Sequence, residues 1–137
     1  MEIYPAKIIL WAIAGQKREG YIPPSVSNLW RGSVSYRNRN PLNLRMGSYT
    51  VGLGSIGVAR GNFLVFPDYV TGFFAGCKFL KNACEGKYSR YNPNGTLADF
   101  YSVYAPSSDN NDPISYANEV ADFMRMPHDS PIKIALT

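Results

Sequence analysis

The sequence predicts a mainly α-helical domain with a small β-hairpin insertion. Three observations carry that prediction. Apolar residues recur at helical spacing over 6–19 and 67–83. Two cap signatures, Thr96 with Asp99 and Asp112 with Pro113, open further helices. Only 49–66 reads as strands, in two short runs punctuated by Gly52, Gly54, Gly57 and Gly61. A chain of 137 residues is one domain's worth of sequence, so the expectation is a single domain over 1–137 with four to five helices.

The first helix covers 6–19, with Ile9, Ile13 and Gln16 on one stripe and Ile8, Trp11, Ala12 and Gly15 beside it. Gly20, then Pro23 and Pro24, stop it. Residues 20–47 form a long segment rich in Pro, Ser, Asn, Arg and Gly. Because it also carries Trp30, Tyr36 and Leu42, it reads as an ordered, functional loop. YTVGL and NFLVF then supply the hairpin, and Pro67 takes the first turn of a second strong helix. There Val70, Phe73, Phe74, Cys77, Leu80 and Cys84 form the expected core face, while Gly72 and Gly76 invite close packing by another element. The helix over 97–104 buries Leu97, Phe100, Tyr101 and Tyr104, and Pro106 ends it. Ile114, Ala117, Val120, Ala121 and Met124 stripe the next one, and the tail after Pro127 reads as an extended arm.

Composition narrows the chemistry. With 14 Lys+Arg against 10 Asp+Glu the net charge is +4, which suits a polyanionic partner as well as plain solubility. His128 is the sole histidine and Cys77 and Cys84 the sole cysteines, so no metal site of imidazole or thiolate type is expected. Nor is a Ser-His-Asp triad, since no GxSxG precedes His128. On one helix, cysteines seven apart lie roughly 10 Å along the axis, too far for a disulfide. The longest apolar run, IILWAIA at 8–14, is far too short to span a bilayer. Glu2 sits where a secretion signal has its basic residues, so the run reads as a buried helix in a protein made in the cytoplasm.

Three constellations could carry function. Glu19 ends the first helix, where the negative end of the helix dipole raises a carboxyl's pKa, the more so if Trp11, Tyr21 or Trp30 desolvates it. A carboxylic acid still protonated near neutrality is what general-acid cleavage of a glycosidic bond requires; the plain alternative is a solvated Glu at a helix end. In 32–45, GSVSYRNRNPLNLR, the residues Asn38, Asn40 and Asn43 lie among Arg37, Arg39 and Arg45. Asn both donates and accepts, as sugar hydroxyls and acetamido groups need, but Asn also folds loops by bonding its own backbone. Arg there could grip phosphate, yet no basic run interleaved with stacking aromatics continues it, so nucleic acid is not the expected partner. In 104–116, YAPSSDNNDPISY, the residues Ser107, Asp109, Asn110 and Asn111 either line a groove rim or simply link two helices.

The most specific pieces are RNRNPLNLR (37–45), FPDYVTGFFA (66–75) and YAPSSDNND (104–112). In that order, after an apolar helix ending in Glu19-Gly20, they resemble phage- and prophage-encoded lysozyme-like proteins. Some of these are virion structural proteins, others muramidases or lytic transglycosylases. The resemblance covers about residues 8–125. The arrangement is also similar to bacterial glucosaminidases, which place an Asn-rich loop and a hairpin after a helix ending in the catalytic Glu. Two departures stand out: Leu42 replaces the glycine of an NPGN turn, and Asp109 the Glu of an SEN turn.

The resemblance implies a lysozyme-like fold and a peptidoglycan-cleaving glycosidase, with Glu19 as catalytic acid/base and no cofactor or metal. Tyr21, Tyr36 and Tyr104 would stack on sugars. Arg37, Asn38, Asn40, Asn43, Ser107, Asp109 and Asn110 would line the glycan groove. Asp68, Asp99, Asp109 and Asp112 are candidates for a second carboxylate. The partner would be bacterial peptidoglycan, with other virion proteins possible, and the location the virion or the host cytoplasm before release to the wall. The other class of function is a non-catalytic virion or wall-binding module on the same scaffold.

Overall fold

In the computed structural model, which describes residues 2–24, 32–109 and 111–137, five α-helices, two short 3-10 helices and one two-stranded antiparallel sheet account for the regular structure among those residues. In chain order these are α1 (Ala6–Arg18), α2 (Val34–Arg37), β1 (Gly57–Ala59), β2 (Phe63–Val65), α3 (Tyr69–Cys84), α4 (Leu97–Tyr104) and α5 (Pro113–Met124). The fold is therefore mainly α with a hairpin. No described helix is long and apolar enough to cross a membrane. Two compact units divide the chain, one of residues 1–14 and 80–137, the other of residues 15–79.

The first unit is built around aromatic packing. Trp11 is fully buried, donates its indole N–H to the Tyr101 hydroxyl (2.7 Å) and meets Phe100 edge-on at 5.0 Å. Burying Trp with its N–H satisfied keeps the apolar gain without a stranded donor. The capping box predicted for α4 is complete: Thr96 accepts from the Asp99 N–H, and Asp99 reaches back to the Thr96 N–H. Asp112 caps α5, with Pro113 at its start, and α5 packs on α4 through Tyr116, Ala117, Val120 and Ala121. Ile114, expected on that stripe, is exposed. The tail is not an extended arm. Residues Ile132–Leu136 form a 3-10 helix pinned by Ile132 N–H to the Gly95 carbonyl (2.8 Å) and Lys133 N–H to the Pro93 carbonyl (3.0 Å), with Ile132 buried.

Two helical faces differ from expectation. On α1 the buried set is Ile8, Trp11, Ala12, Ala14 and Gly15, while Ile13 is exposed. On α3 Cys77, Leu80, Ala83 and Cys84 are buried, but Val70 and Phe74 face solvent. Both cysteines are free thiols on α3, and burial pushes each up to about 12.

In the second unit, 15–79, the long segment after α1 is ordered where it is described, and includes α2. The hairpin is shorter than predicted, because YTVGL is a turn rather than a strand. Thr50 folds that chain back, donating to the Arg45 carbonyl (2.8 Å) and accepting from the Gly47 N–H (3.0 Å), and Gly52 and Gly54 adopt left-handed φ. The expected close approach at the α3 glycines is present. A Cβ on Gly72 would collide with the Arg39 carbonyl oxygen, and one on Gly76 with the Leu42 side chain. The left-handed residue of the turn at 40–43 is Asn43 (φ 51°), not Leu42, whose side chain is buried against Gly76.

Candidate functional site

The site is assembled within 15–79 by three backbone devices. The first ends α1. Gly20 takes φ 69°, its N–H donates to the Lys17 carbonyl (3.1 Å), and the Tyr21 N–H donates to the Gln16 carbonyl (3.2 Å). This is the Schellman closure, and it leaves Glu19 as the C-cap, one residue past Arg18, with Tyr21 just beyond it. The second joins the ends of the next stretch. The Ser33 N–H donates to the Ile22 carbonyl and the Ile22 N–H to Ser33 Oγ, both at 3.0 Å, while Ser33 Oγ also accepts from the Tyr36 N–H to start α2. Tyr21 and Tyr36 thereby meet at 5.3 Å between ring centroids. The third ties 38 to 66: the Phe66 N–H donates to the Asn38 carbonyl (2.9 Å), which brings Arg37 and Arg39 beside Asp68 and Tyr69.

These residues line one cleft of about 500 Å³: Tyr21, Tyr36, Arg37, Arg39, Asp68 and Tyr69. Tyr21 is its centre, packed between Tyr36 and Tyr69 at 5.3 Å each. Tyr69 is fixed by donating its hydroxyl to Gln16 Oε1 (2.7 Å). Burial, then the neighbouring Tyr69 and Tyr36, raise the Tyr21 phenol, so it stays neutral. Asp68 rather than Pro67 starts α3: its Oδ1 accepts from the Thr71 N–H (2.7 Å). That bond, helped by Arg39, holds the Asp68 carboxyl below its usual range.

Glu19 is half-buried, and its Oε1 accepts from Asn43 Nδ2 at 3.1 Å. The Asn/Arg segment therefore lies against the helix-terminal carboxyl. Asn43 Oδ1 is buried with no partner among the described residues. The three asparagines, alike in sequence, differ in place. Asn40 is wholly buried and spends its amide on the loop: Nδ2 donates to the Leu44 and Leu64 carbonyls, and Oδ1 accepts from the Leu44 N–H, all at 2.9 Å. It holds the turn and is not available to a ligand, a correction to its expected role. Asn38 is also buried, with Nδ2 lacking a partner among the described residues.

The remaining expected residues belong to the other unit. Tyr104 is half-buried and stacks on Phe100 at 5.4 Å. Ser107 is exposed at the start of the short 3-10 helix Ser107–Asp109. Asn110 and Trp30 lie outside the described residues. Asp99 and Asp112 are helix caps. Sequence reasoning passed over Gln16 and Tyr69, and did not single out Arg39 from its neighbours. A tyrosine following a capping Asp was the available signal for Tyr69. Among the described residues, no group of His, Cys, Asp and Glu could hold a metal ion.

No protein-family model, curated protein or solved structure matches the chain.

Proposed function

We propose that this protein is a glycosidase of bacterial peptidoglycan, on a lysozyme-like scaffold of the phage-encoded kind, with Glu19 as general acid/base. The observation that carries this reading is the bond from Asn43 Nδ2 to Glu19 Oε1. It fixes a half-buried carboxyl at the end of α1, one glycine away from the tyrosine at the centre of the cleft.

In this reading protonated Glu19 gives its proton to the oxygen bridging two amino sugars, and the bond to the anomeric carbon breaks through an oxocarbenium-like transition state. The departing sugar leaves as the alcohol, and Glu19 is left as carboxylate. It then takes the proton from the 6-hydroxyl of the same ring as that oxygen bonds the anomeric carbon, closing a 1,6-anhydro sugar and restoring the acid. This transglycosylase route needs a single carboxylate. Asp68, the carboxylate of the cleft, has its Oδ1 engaged in capping α3.

Zymography on purified peptidoglycan tests the proposal. The wild type is expected to clear, and Glu19→Gln to lose at least about 100-fold, the usual worth of a general acid. Equal clearing would remove Glu19 from this role. No clearing by either would assign a non-catalytic wall-binding module.

A further inference from the structure

We infer that residues 46–58, with the exposed face of α3 beside them, form a docking surface for an anionic phospholipid bilayer, which the protein contacts at headgroup depth. The inference goes beyond the glycan reading and does not depend on it. Its first basis is where apolar surface is left open. Met46, Val51, Ile56 and Val58 are all exposed, Val51 at 79% and Ile56 at 68%. Single exposed aliphatics are ordinary, but four within one hairpin segment are a patch of the kind that marks a contact surface. Gly54 ties this segment to α3, because a Cβ there would stand 3.3 Å from Thr71 Cγ2. Val70, the residue before Thr71, and Phe74, one turn on, are exposed too.

The second basis is charge, which selects the occupant. Residues 15–79 hold eight Lys and Arg against two acids, Glu19 and Asp68, whereas the rest of the chain holds six against eight. The net charge of +4 is therefore +6 on one unit and −2 on the other. Within the basic unit, Arg45 and Arg60 bracket fourteen residues that carry no charge at all. Arg45 and Ala59 both pair with Phe63 of β2, so the two arginines come to the same end of the hairpin, and Arg45 is held over the Phe63 ring, 4.9 Å from its centroid. An apolar patch rimmed by guanidinium groups matches a bilayer with negative headgroups: the aliphatics enter the acyl boundary, while the arginines reach back to lipid phosphate. A nucleic acid would use the arginines and leave the aliphatic side chains in water. The outer edge of β1 pairs with no described strand, and an open edge must keep its backbone within reach of water, which sets the depth at the headgroups rather than in the hydrocarbon.

Flotation of the full chain with lipid vesicles tests the surface. Phosphatidylcholine vesicles containing about one-third phosphatidylglycerol are expected to carry at least about tenfold more protein than phosphatidylcholine alone, an excess that raised salt reduces. Val51→Ser with Ile56→Ser, both exposed changes, should lower partition into the anionic vesicles at least about tenfold, and Arg60→Gln about fivefold, the worth of one basic side chain near such a surface. Urea denaturation of both variants is expected to match the wild type. Spin-labelled lipid in anionic bicelles gives a reading that needs no variant: the amide signals of Val51, Ile56 and Val58 should broaden most, and broadening centred elsewhere would contradict the surface. Equal partition into the two vesicle types, partition into neither, or partition that survives either variant unchanged would overturn it. Binding of a thymidine oligonucleotide by a protein that leaves the vesicles unbound would assign the charge to nucleic acid and overturn it as well.

Discussion

Individual side chains in the RNRNPLNLR segment do different work although they look interchangeable. Asn40 folds the segment, Asn43 holds the Glu19 carboxyl, and Arg37 and Arg39 charge the cleft. Removing the Asn40 amide takes the partner from the Leu44 N–H and a donor from the Leu64 carbonyl in the interior, while the Leu44 carbonyl keeps the Leu64 N–H, so Asn40→Ala should cost about 3 kcal/mol by urea denaturation. Asn43→Ala, at a half-buried site, should cost markedly less; a ranking in the opposite order would contradict these assignments. The thiols give a second test. Burial pushes Cys77 and Cys84 up to about 12, so each stays protonated through the neutral and mildly alkaline range. Because the thiolate is the reactive form, iodoacetamide labelling of the native protein should stay slow from about pH 7 to 10 and become rapid only in denaturant. Rapid native labelling that climbs through about pH 8.5, as for an ordinary thiol, would show that the α3 thiols are not buried as described.

At the scale of elements, two glycines separate two kinds of constraint. Gly20 needs its left-handed backbone but has open space around a notional Cβ, so Gly20→Ala should cost only the conformational penalty, about 1 kcal/mol. Gly72 sits under the Arg39 carbonyl, a backbone atom that cannot swing aside, so Gly72→Ala should cost about 1–3 kcal/mol and shift the cleft-lining loop. Denaturation curves with amide spectra check both; a Gly72→Ala protein with unmoved signals for Arg39 and Tyr69 would contradict the packing. What could be read from sequence divides along the same line. Caps are local chemistry, so Thr96–Asp99, Asp112–Pro113 and the Gly20 stop were legible. Helix faces are not local when apolar residues surround the helix. With Ile8, Ile9, Leu10, Trp11, Ala12 and Ile13 in one run, spacing alone could not choose Ile8 and Trp11 over Ile9 and Ile13. The YTVGL run looked like a strand because the turn is set by the Thr50 hydroxyl, a bond that propensity does not register.

At the scale of the whole molecule, residues 15–79 bring Glu19, the Asn/Arg segment and the tyrosine cleft together, while Tyr104, Ser107 and Asp109 belong to the unit formed by 1–14 and 80–137. A shared groove for the Asn/Arg segment and Glu19 was expected only through the resemblance, with no particular Asn assigned to the carboxyl; the Tyr21–Tyr36–Tyr69 surface was not expected, because it depends on pairings between residues far apart in sequence. The net charge of +4 gives the proposed anionic partner a long-range attraction that salt weakens. The central claim is that one carboxyl at the end of α1 breaks a glycan bond. Its most direct test is mass spectrometry of fragments released from purified sacculi by the wild type and by Glu19→Gln at equal concentration. The account predicts soluble 1,6-anhydromuramoyl fragments from the wild type and at least about 100-fold fewer from the variant; the same fragments in the same yield from both proteins would contradict it.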